Sequence, residues 1–309
     1  MTDDVDSRYR LSRVVVPSAY RLRLAPDLDA LRFDGVVEID VEVAEPTRAV
    51  VLNAVELEIH EVSASLSDGA SRTATASLDE STDRATLTFV DELPAGSAVL
   101  RVTFTGVLND RLVGFYRSTF TDVHGVERAI ATSQLAATDA RRAFPCFDEP
   151  AFKATFAVTL VVPQGLEAYS NAPVASESTL DDGRRELAFR PTMSMSTYLV
   201  AFVVGPFVAS DVVDVDGVPL SVVCAPGKEH LTDFALDIGA FSLRFFADYF
   251  GIAYPGEKLD LVAIPDFAYG AMENLGCITF RETNLLIDPS SASTDELQQV
   301  AMVVAHEVA

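Results

Sequence analysis

Cysteine is scarce in this chain. Cys146, Cys224 and Cys277 are odd in number, far apart, and in no C-x-x-C spacing. That excludes a disulfide framework and argues against a thiolate metal site, so buried free thiols in a reducing compartment are expected. Positive charge is also short. Lys153, Lys228 and Lys258 are the only lysines, and Lys plus Arg total 23 against 46 Asp plus Glu. The net charge of −23 repels phosphate backbones and makes nucleic acid a poor partner. The same field would attract a peptide's cationic amino terminus, although an acidic surface serves solubility first. No stretch approaches the ~20 apolar residues of a membrane span. The opening Met1-Thr2-Asp3-Asp4-Val5-Asp6 is acidic, whereas a secretory signal starts basic and turns apolar. A cytoplasmic protein with no membrane partner is the expectation.

What is present is a globular composition. Hydrophobic residues make up 49% and charged residues 22% of the 309 positions, enough apolar side chains for a core and enough length for roughly two domains. The first two-thirds read as β-sheet. Val37, Ile39, Val41 and Val43 alternate with Glu38, Asp40 and Glu42, a period of two that buries one face and wets the other. Leu22 and Leu24 alternate with Arg21 and Arg23. Similar runs follow at 85–89, 98–108, 152–162, 186–190 and 197–207, separated by turns such as Pro163-Gln164-Gly165 and Asp181-Asp182-Gly183.

The pattern changes near Ser210. A hairpin is predicted over 213–223, turning at Asp216-Gly217. A helix follows with Leu231, Phe234, Ala235, Ile238, Phe241, Phe245 and Tyr249 on its apolar stripe and Gly251 at its end. Strands are expected at 259–264 and 277–287. A last helix starts at Ser293, where Ser293 and Glu296 fit a capping box, and carries Leu297, Val300, Ala301 and Val304 on one face. The division falls at about residue 209, giving domains 1–209 and 210–309.

Two segments can carry chemistry. The last helix ends in His306-Glu307, the opening of an H-E-x-x-H pattern in which two histidines one turn apart share a zinc ion and the glutamate acts on its water. On these residues alone an ordinary helix terminus is the simpler reading. Gly270-Ala271-Met272-Glu273-Asn274 lies between two strands. Its small residues let a substrate backbone approach like an added strand, and the Glu273 carboxylate could hold an ammonium group. A turn with an exposed glutamate would look the same.

Residues 270–274 also resemble the G-A-M-E-N signature of the gluzincin zinc aminopeptidases, the aminopeptidase N-like family, upstream of His306-Glu307 at the family's usual distance. The resemblance extends to Gly114-Phe115-Tyr116-Arg117-Ser118, to Thr138 through Pro150 (T-D-A-R-R-A-F-P-C-F-D-E-P), and to Met195 through Phe202. It implies a mostly β protein: an N-terminal β-saddle or sandwich domain, then the opening α+β part of a thermolysin-like catalytic domain. It implies Zn²⁺ as cofactor, His306 as a metal ligand, and Glu307 as the catalytic base toward the metal-bound water. It also implies that Gly270, Ala271, Met272, Glu273 and Asn274 bind the substrate, Glu273 gripping its α-amine. Gln134 would line the pocket for the first side chain. Peptides with a free N-terminus are the implied partner.

The chain departs from the family at Leu275, where tryptophan is usual, and at Ala136, where a second amine-binding glutamate is usual. The second histidine, the third ligand and the oxyanion tyrosine are not within these residues, so this chain is expected to be an inactive fragment. Its second domain is expected to leave Phe241, Phe245, Val300 and Val304 facing a missing layer. The alternatives are a catalytically inactive scaffold relative and a bifunctional epoxide hydrolase/aminopeptidase, which usually has glycine in place of Ala271.

Overall fold

The computed structural model describes residues 10–309. Strands dominate them, with two α-helices near the C-terminal end, in line with the mostly β reading. Seven strands come first: β1 (Val15–Asp27), β2 (Arg32–Val43), β3 (Thr47–Asn53), β4 (Leu57–Leu66), β5 (Ser71–Asp79), β6 (Arg84–Leu93) and β7 (Gly96–Val107). Next come β8 (Gly114–Thr121), β9 (Glu127–Gln134), β10 (Thr155–Val162), β11 (Glu167–Ser170), β12 (Val174–Thr179), β13 (Arg185–Phe189) and β14 (Phe202–Gly205). They sort into a ten-stranded sheet, β12-β13-β10-β1-β2-β7-β4-β5-β6-β3, and a four-stranded sheet, β11-β14-β9-β8.

The alternating pattern does what it predicts. In β2 the side chains of Phe33, Val37, Ile39, Val41 and Val43 are buried. On the other face Arg21 of β1 donates to Glu38 at 3.0 Å and to Asp40 at 2.7 Å across the strand pair. Aromatic rings join the two sheets. Phe115 of β8 meets Phe33 edge-on at 5.1 Å between centroids, and Phe202 of β14 at 4.7 Å.

A third, six-stranded sheet contains β15 (Val208–Ala209), β16 (Val213–Val215), β17 (Val218–Cys224), β18 (Leu259–Ile264), β19 (Ala271–Met272) and β20 (Cys277–Arg281). β17, β18 and β20 run parallel, while β19 pairs antiparallel with β20. Parallel neighbours need a crossover, and α1 (Asp233–Phe250) supplies the one between β17 and β18. It ends at Gly251, whose φ of 65° is the left-handed cap expected there. α2 (Thr294–Val308) begins with the predicted capping box, Ser293 accepting from the Glu296 main chain and Glu296 accepting from Ser293. The three cysteines are free and buried.

Four expectations are corrected. The run 197–207 is a 3-10 turn at Thr197–Leu199 and a strand only from Phe202. Between them the chain bonds to side chains, Ala201 N–H to Asn171 and Phe202 N–H to Ser133, at 2.8 and 3.0 Å. The last strand stops at Arg281 and gives way to a 3-10 turn, Glu282–Asn284. In α1 the buried face is made of small residues, Ala235, Gly239, Ala240 and Ser242 with Leu243, while Phe241, Phe245 and Tyr249 are exposed. The reason is close approach: a Cβ on Gly239 would stand 3.1 Å from Leu261. The displaced rings stack on one another along the helix, Phe241 on Phe245 and Phe245 on Tyr249. Val300 and Val304 are buried in the core of the third sheet, against the expectation that they face a missing layer.

Candidate active site

The site is built where the end of β9, the short edge strand β19 and the C-terminal turn of α2 converge. β9 lies between β8 and β14, and its last residue, Gln134, pairs with Gly114 of β8. Gln134 is buried, and its amide nitrogen reaches the sulfur of Met272 at 3.6 Å. Ala136, two residues on, is half-buried against the apolar cluster that contains Met272, Phe267 and Tyr116. Two residues expected to bind substrate, Gln134 and Met272, are thus brought together from distant parts of the chain.

The 267–274 segment is held from one side. Gly270 is exposed and its carbonyl accepts from the Arg281 main chain at 3.0 Å and from Asn284 Nδ2 at 3.2 Å. The Arg281 guanidinium donates to the carbonyls of Phe267 and Ala268 at 3.2 and 2.9 Å. Ala271 pairs with Phe280 and Met272 with Thr279 on β20. Asn274 is buried and turned inward. Its side chain donates to Thr279 Oγ1 at 3.2 Å and its carbonyl accepts from Cys277 N–H. Its role in this geometry is to close the turn. Glu273, between buried Met272 and buried Asn274, is exposed.

The turn is also anchored to the N-terminal sheets. Asn171 Nδ2 donates to the Leu275 carbonyl at 2.9 Å. Gly276 has φ 78° and packs so tightly on the Asn171 carbonyl that any side chain there would collide with it. Tyr116 of the G-F-Y-R-S segment donates to the Asp266 carbonyl at 2.9 Å. Sequence reasoning missed Arg281, Asn284 and Asn171. Each acts through contacts to main-chain atoms remote in sequence, for which residue type carries no local signal.

α2 packs against β19, and brings His306 and Glu307 to the same place. His306 is exposed and Glu307 half-buried. Burial raises the pKa of the Glu307 carboxyl above its ordinary value; neighbouring His306 pulls it down and the Glu273 carboxylate pushes it up. The two glutamates therefore sense each other's charge, although they come from different elements. Among the described residues no three His, Cys, Asp or Glu side chains stand together as a metal cluster. His306 offers one nitrogen donor, and a catalytic zinc takes three protein ligands. Among the described residues, then, no set of three such ligands is assembled.

The site's elements are those of two matched domains. Residues 16–199 match the Peptidase M1 N-terminal domain and residues 234–309 the Peptidase family M1 domain. The chain belongs to the M1 peptidase family. Relatives of this M1 chain include Aminopeptidase M1 of Arabidopsis thaliana, 44% identical over 99% of this chain and 35% of that protein. Aminopeptidase M1-C of Oryza sativa subsp. japonica is 47% identical over 99% of this chain and 34% of its own length. Puromycin-sensitive aminopeptidase of Caenorhabditis elegans is 41% identical over 97% of this chain and 32% of its own. The chain thus spans about a third of the length of these curated relatives. No helix among the described residues is long and apolar enough to cross a membrane.

Proposed function

We propose that the protein carrying this chain is a zinc-dependent aminopeptidase that removes residues from the free N-terminus of peptides. The observation that carries the reading is the packing of α2, which ends in His306-Glu307, against β19, the strand that leads directly into Glu273. Membership of the M1 family and the names of the relatives support it. His306 would be one zinc ligand, and the remaining donors would come from residues outside these 309. Bound zinc would supply Lewis acidity, making water nucleophilic near neutral pH.

This chain's own residues would do the rest. Exposed Gly270 and half-buried Ala271 would border the substrate path, and the outer edge of β19 could pair with an extended peptide. Glu273 would accept the substrate's ammonium group, and Glu307 would accept a proton from the attacking water at a carboxylate oxygen. An anion at a fixed distance from the scissile bond selects the terminal residue, because an internal peptide has no ammonium to offer. Gln134 and Met272 would wall the pocket for the first side chain. The residues to about 209 would act as the frame that carries Gln134. We place the protein in the cytoplasm.

The test uses the protein at its natural length with aminoacyl-4-nitroanilides and their N-acetylated counterparts. Hydrolysis of the free compounds, lost on chelation and restored by Zn²⁺, is expected. An active, chelator-insensitive enzyme would remove the zinc reading, and absence of any hydrolysis would favour a scaffold protein.

A further inference from the structure

In a chain with 46 acidic residues and 23 basic ones, a cation without a partner stands out. Among the described residues every lysine and arginine side chain but one has a carboxylate, an oxygen acceptor or an aromatic ring. Lys153 donates to Ser196, and Lys228 and Lys258 pair with Glu282 and Asp260. Even exposed Arg48 caps the Val90 carbonyl, and Arg13 lies over the Phe152 ring. The exception is Arg117 of β8. It is half-buried, and its guanidinium has no acceptor among the described residues. Its nitrogens are not among the fully buried atoms that lack a partner, so the guanidinium is open to the cavities and its donors are free to meet an incoming acceptor.

Arg117 lies between two cavities, of about 1020 and 460 Å³, that share Arg117 and Leu31 as common walls. On the smaller side stand Arg111 and Arg142, both paired with Glu56. On the larger side stand Arg128, paired with Asp122, and Arg184, paired with Asp182. The carboxylates of Glu56 and Asp122 are thus already engaged. Asp29, Asp110 and Glu127 also border the two cavities and disfavour a ligand of high negative charge. Leu28, Leu31, Phe120 and Leu166 give the larger cavity an apolar wall. It also reaches Pro206 and Pro226 near the third sheet, and junctions of this kind are favoured places for small-molecule sites.

The groove edge is held in unusual backbone. Leu31 has φ 53°, Glu56 φ 58° and Leu112 φ 63°, conformations that non-glycine residues rarely adopt and that packing must enforce. Gly114, φ 70°, brings the start of β8 against Arg142, where a Cβ would stand 2.6 Å from the Arg142 Cβ. The arginine side of the groove is therefore built by the fold.

We infer that this groove is a binding site for a small organic anion, whose carboxylate or phosphate group is held by Arg117 and whose apolar part lies on Leu28, Leu31 and Phe120. A planar guanidinium meets either oxyanion with two parallel hydrogen bonds. The site is separate from Glu273 and His306-Glu307 and does not depend on their chemistry.

The test is arginine labelling by phenylglyoxal on the unmodified protein at its natural length, read by peptide mass spectrometry with hexanoate, hexyl phosphate or hexanol present. Arg117 should label readily without ligand, unlike paired Arg141. One or both anions should protect it saturably, and hexanol should not. Calorimetry with the protecting anion should then show binding weakened at least ~10-fold in Arg117→Gln, the loss of a charged hydrogen bond. Protection by hexanoate alone, or by hexyl phosphate alone, identifies the head group. The inference fails if Arg117 is unreactive without ligand, if neither anion protects it, or if hexanol protects equally.

Discussion

Gln134 and Met272 stand 138 positions apart in sequence, yet the amide nitrogen of one meets the sulfur of the other at 3.6 Å in a buried contact. That contact joins the last residue of β9 to the edge strand β19, and so ties the wall of the N-terminal sheets to the segment that would receive substrate. Met272 is 5% exposed within an apolar cluster shared by both parts of the chain. Met272→Ala should destabilise the protein by about 2–5 kcal/mol, through lost contacts and the cavity left behind. Met272→Leu, nearly equal in volume, should cost under about 1.5 kcal/mol. Denaturant unfolding of both variants measures this, and an alanine variant as stable as the parent would mean the contact is not part of the core.

Arg281 should matter more for binding than for the chemical step. Its guanidinium holds the carbonyls of Phe267 and Ala268, and its main chain holds Gly270. Arg281→Ala should let the 267–270 segment move, raising KM for free peptides about tenfold with a smaller effect on kcat, and opening that segment to limited proteolysis. Charged donors to carbonyls are in the range where one such loss has this size. An unchanged KM with the loop still protected would show that β20 alone holds it.

Glu307 should be indispensable to turnover. Glu307→Gln keeps the shape of the side chain and cannot take up the proton, so the rate should fall at least ~10²-fold while zinc content is unchanged. Parallel measurement of hydrolysis and bound metal separates the two roles. A variant with the parent rate would remove Glu307 from the mechanism.

Ala136 offers the opposite kind of test, a gain. It packs against the apolar cluster that contains Met272, the residue before Glu273, and it carries no charge. Ala136→Glu should add a second carboxylate for the substrate ammonium, raising the preference for free over N-acetylated peptides in kcat/KM. A charged hydrogen bond of about 1.5–3 kcal/mol corresponds to roughly tenfold or more. A ratio that does not move would place Ala136 away from the amine.

Glu56 gives a pH-dependent expectation. Its pKa lies below the ordinary 4.5, chiefly because Arg111 donates to it and then because Arg142 does. A depressed carboxylate stabilises the fold above its unfolded-state pKa, and this contribution is lost as pH falls through the folded value. The stability gap between the parent and Glu56→Gln should therefore be present at pH 7 and close in acid. With both partners partly solvated the gap should be only about 0.2–1 kcal/mol per pair. Urea titrations at neutral and acid pH test it, and a gap that widens in acid would reverse the sign.

Much of the fold was legible because it rests on local rules. The period of two along β2 places its apolar side chains inside whatever the neighbouring strands do, and the Ser293–Glu296 box starts α2 through bonds within four residues. The Gly251 cap and the turn at Asp216-Gly217 are of the same kind. The two candidate site segments were likewise visible as residue types in a pattern. What the pattern could not say was which way α1 faces. Its apolar residues, Phe241 and Phe245 included, spread around the helix, and the close approach of Gly239 to Leu220 and Leu261 chose the small face for burial.

By itself the sequence determined the strand-rich class, the two helices, the free buried thiols and the candidate segments for chemistry, because each depends on composition or on neighbours a few positions apart. Only the tertiary structure decided what those residues do to one another. Burial, with the Glu273 charge added to it, raises the pKa of Glu307, Gln134 meets Met272, Asn171 pins Leu275, and Arg117 is left without an acceptor among the described residues. Charge interaction and hydrogen bonding depend on separation in space, and the sheets bring together atoms that the chain keeps tens or hundreds of residues apart.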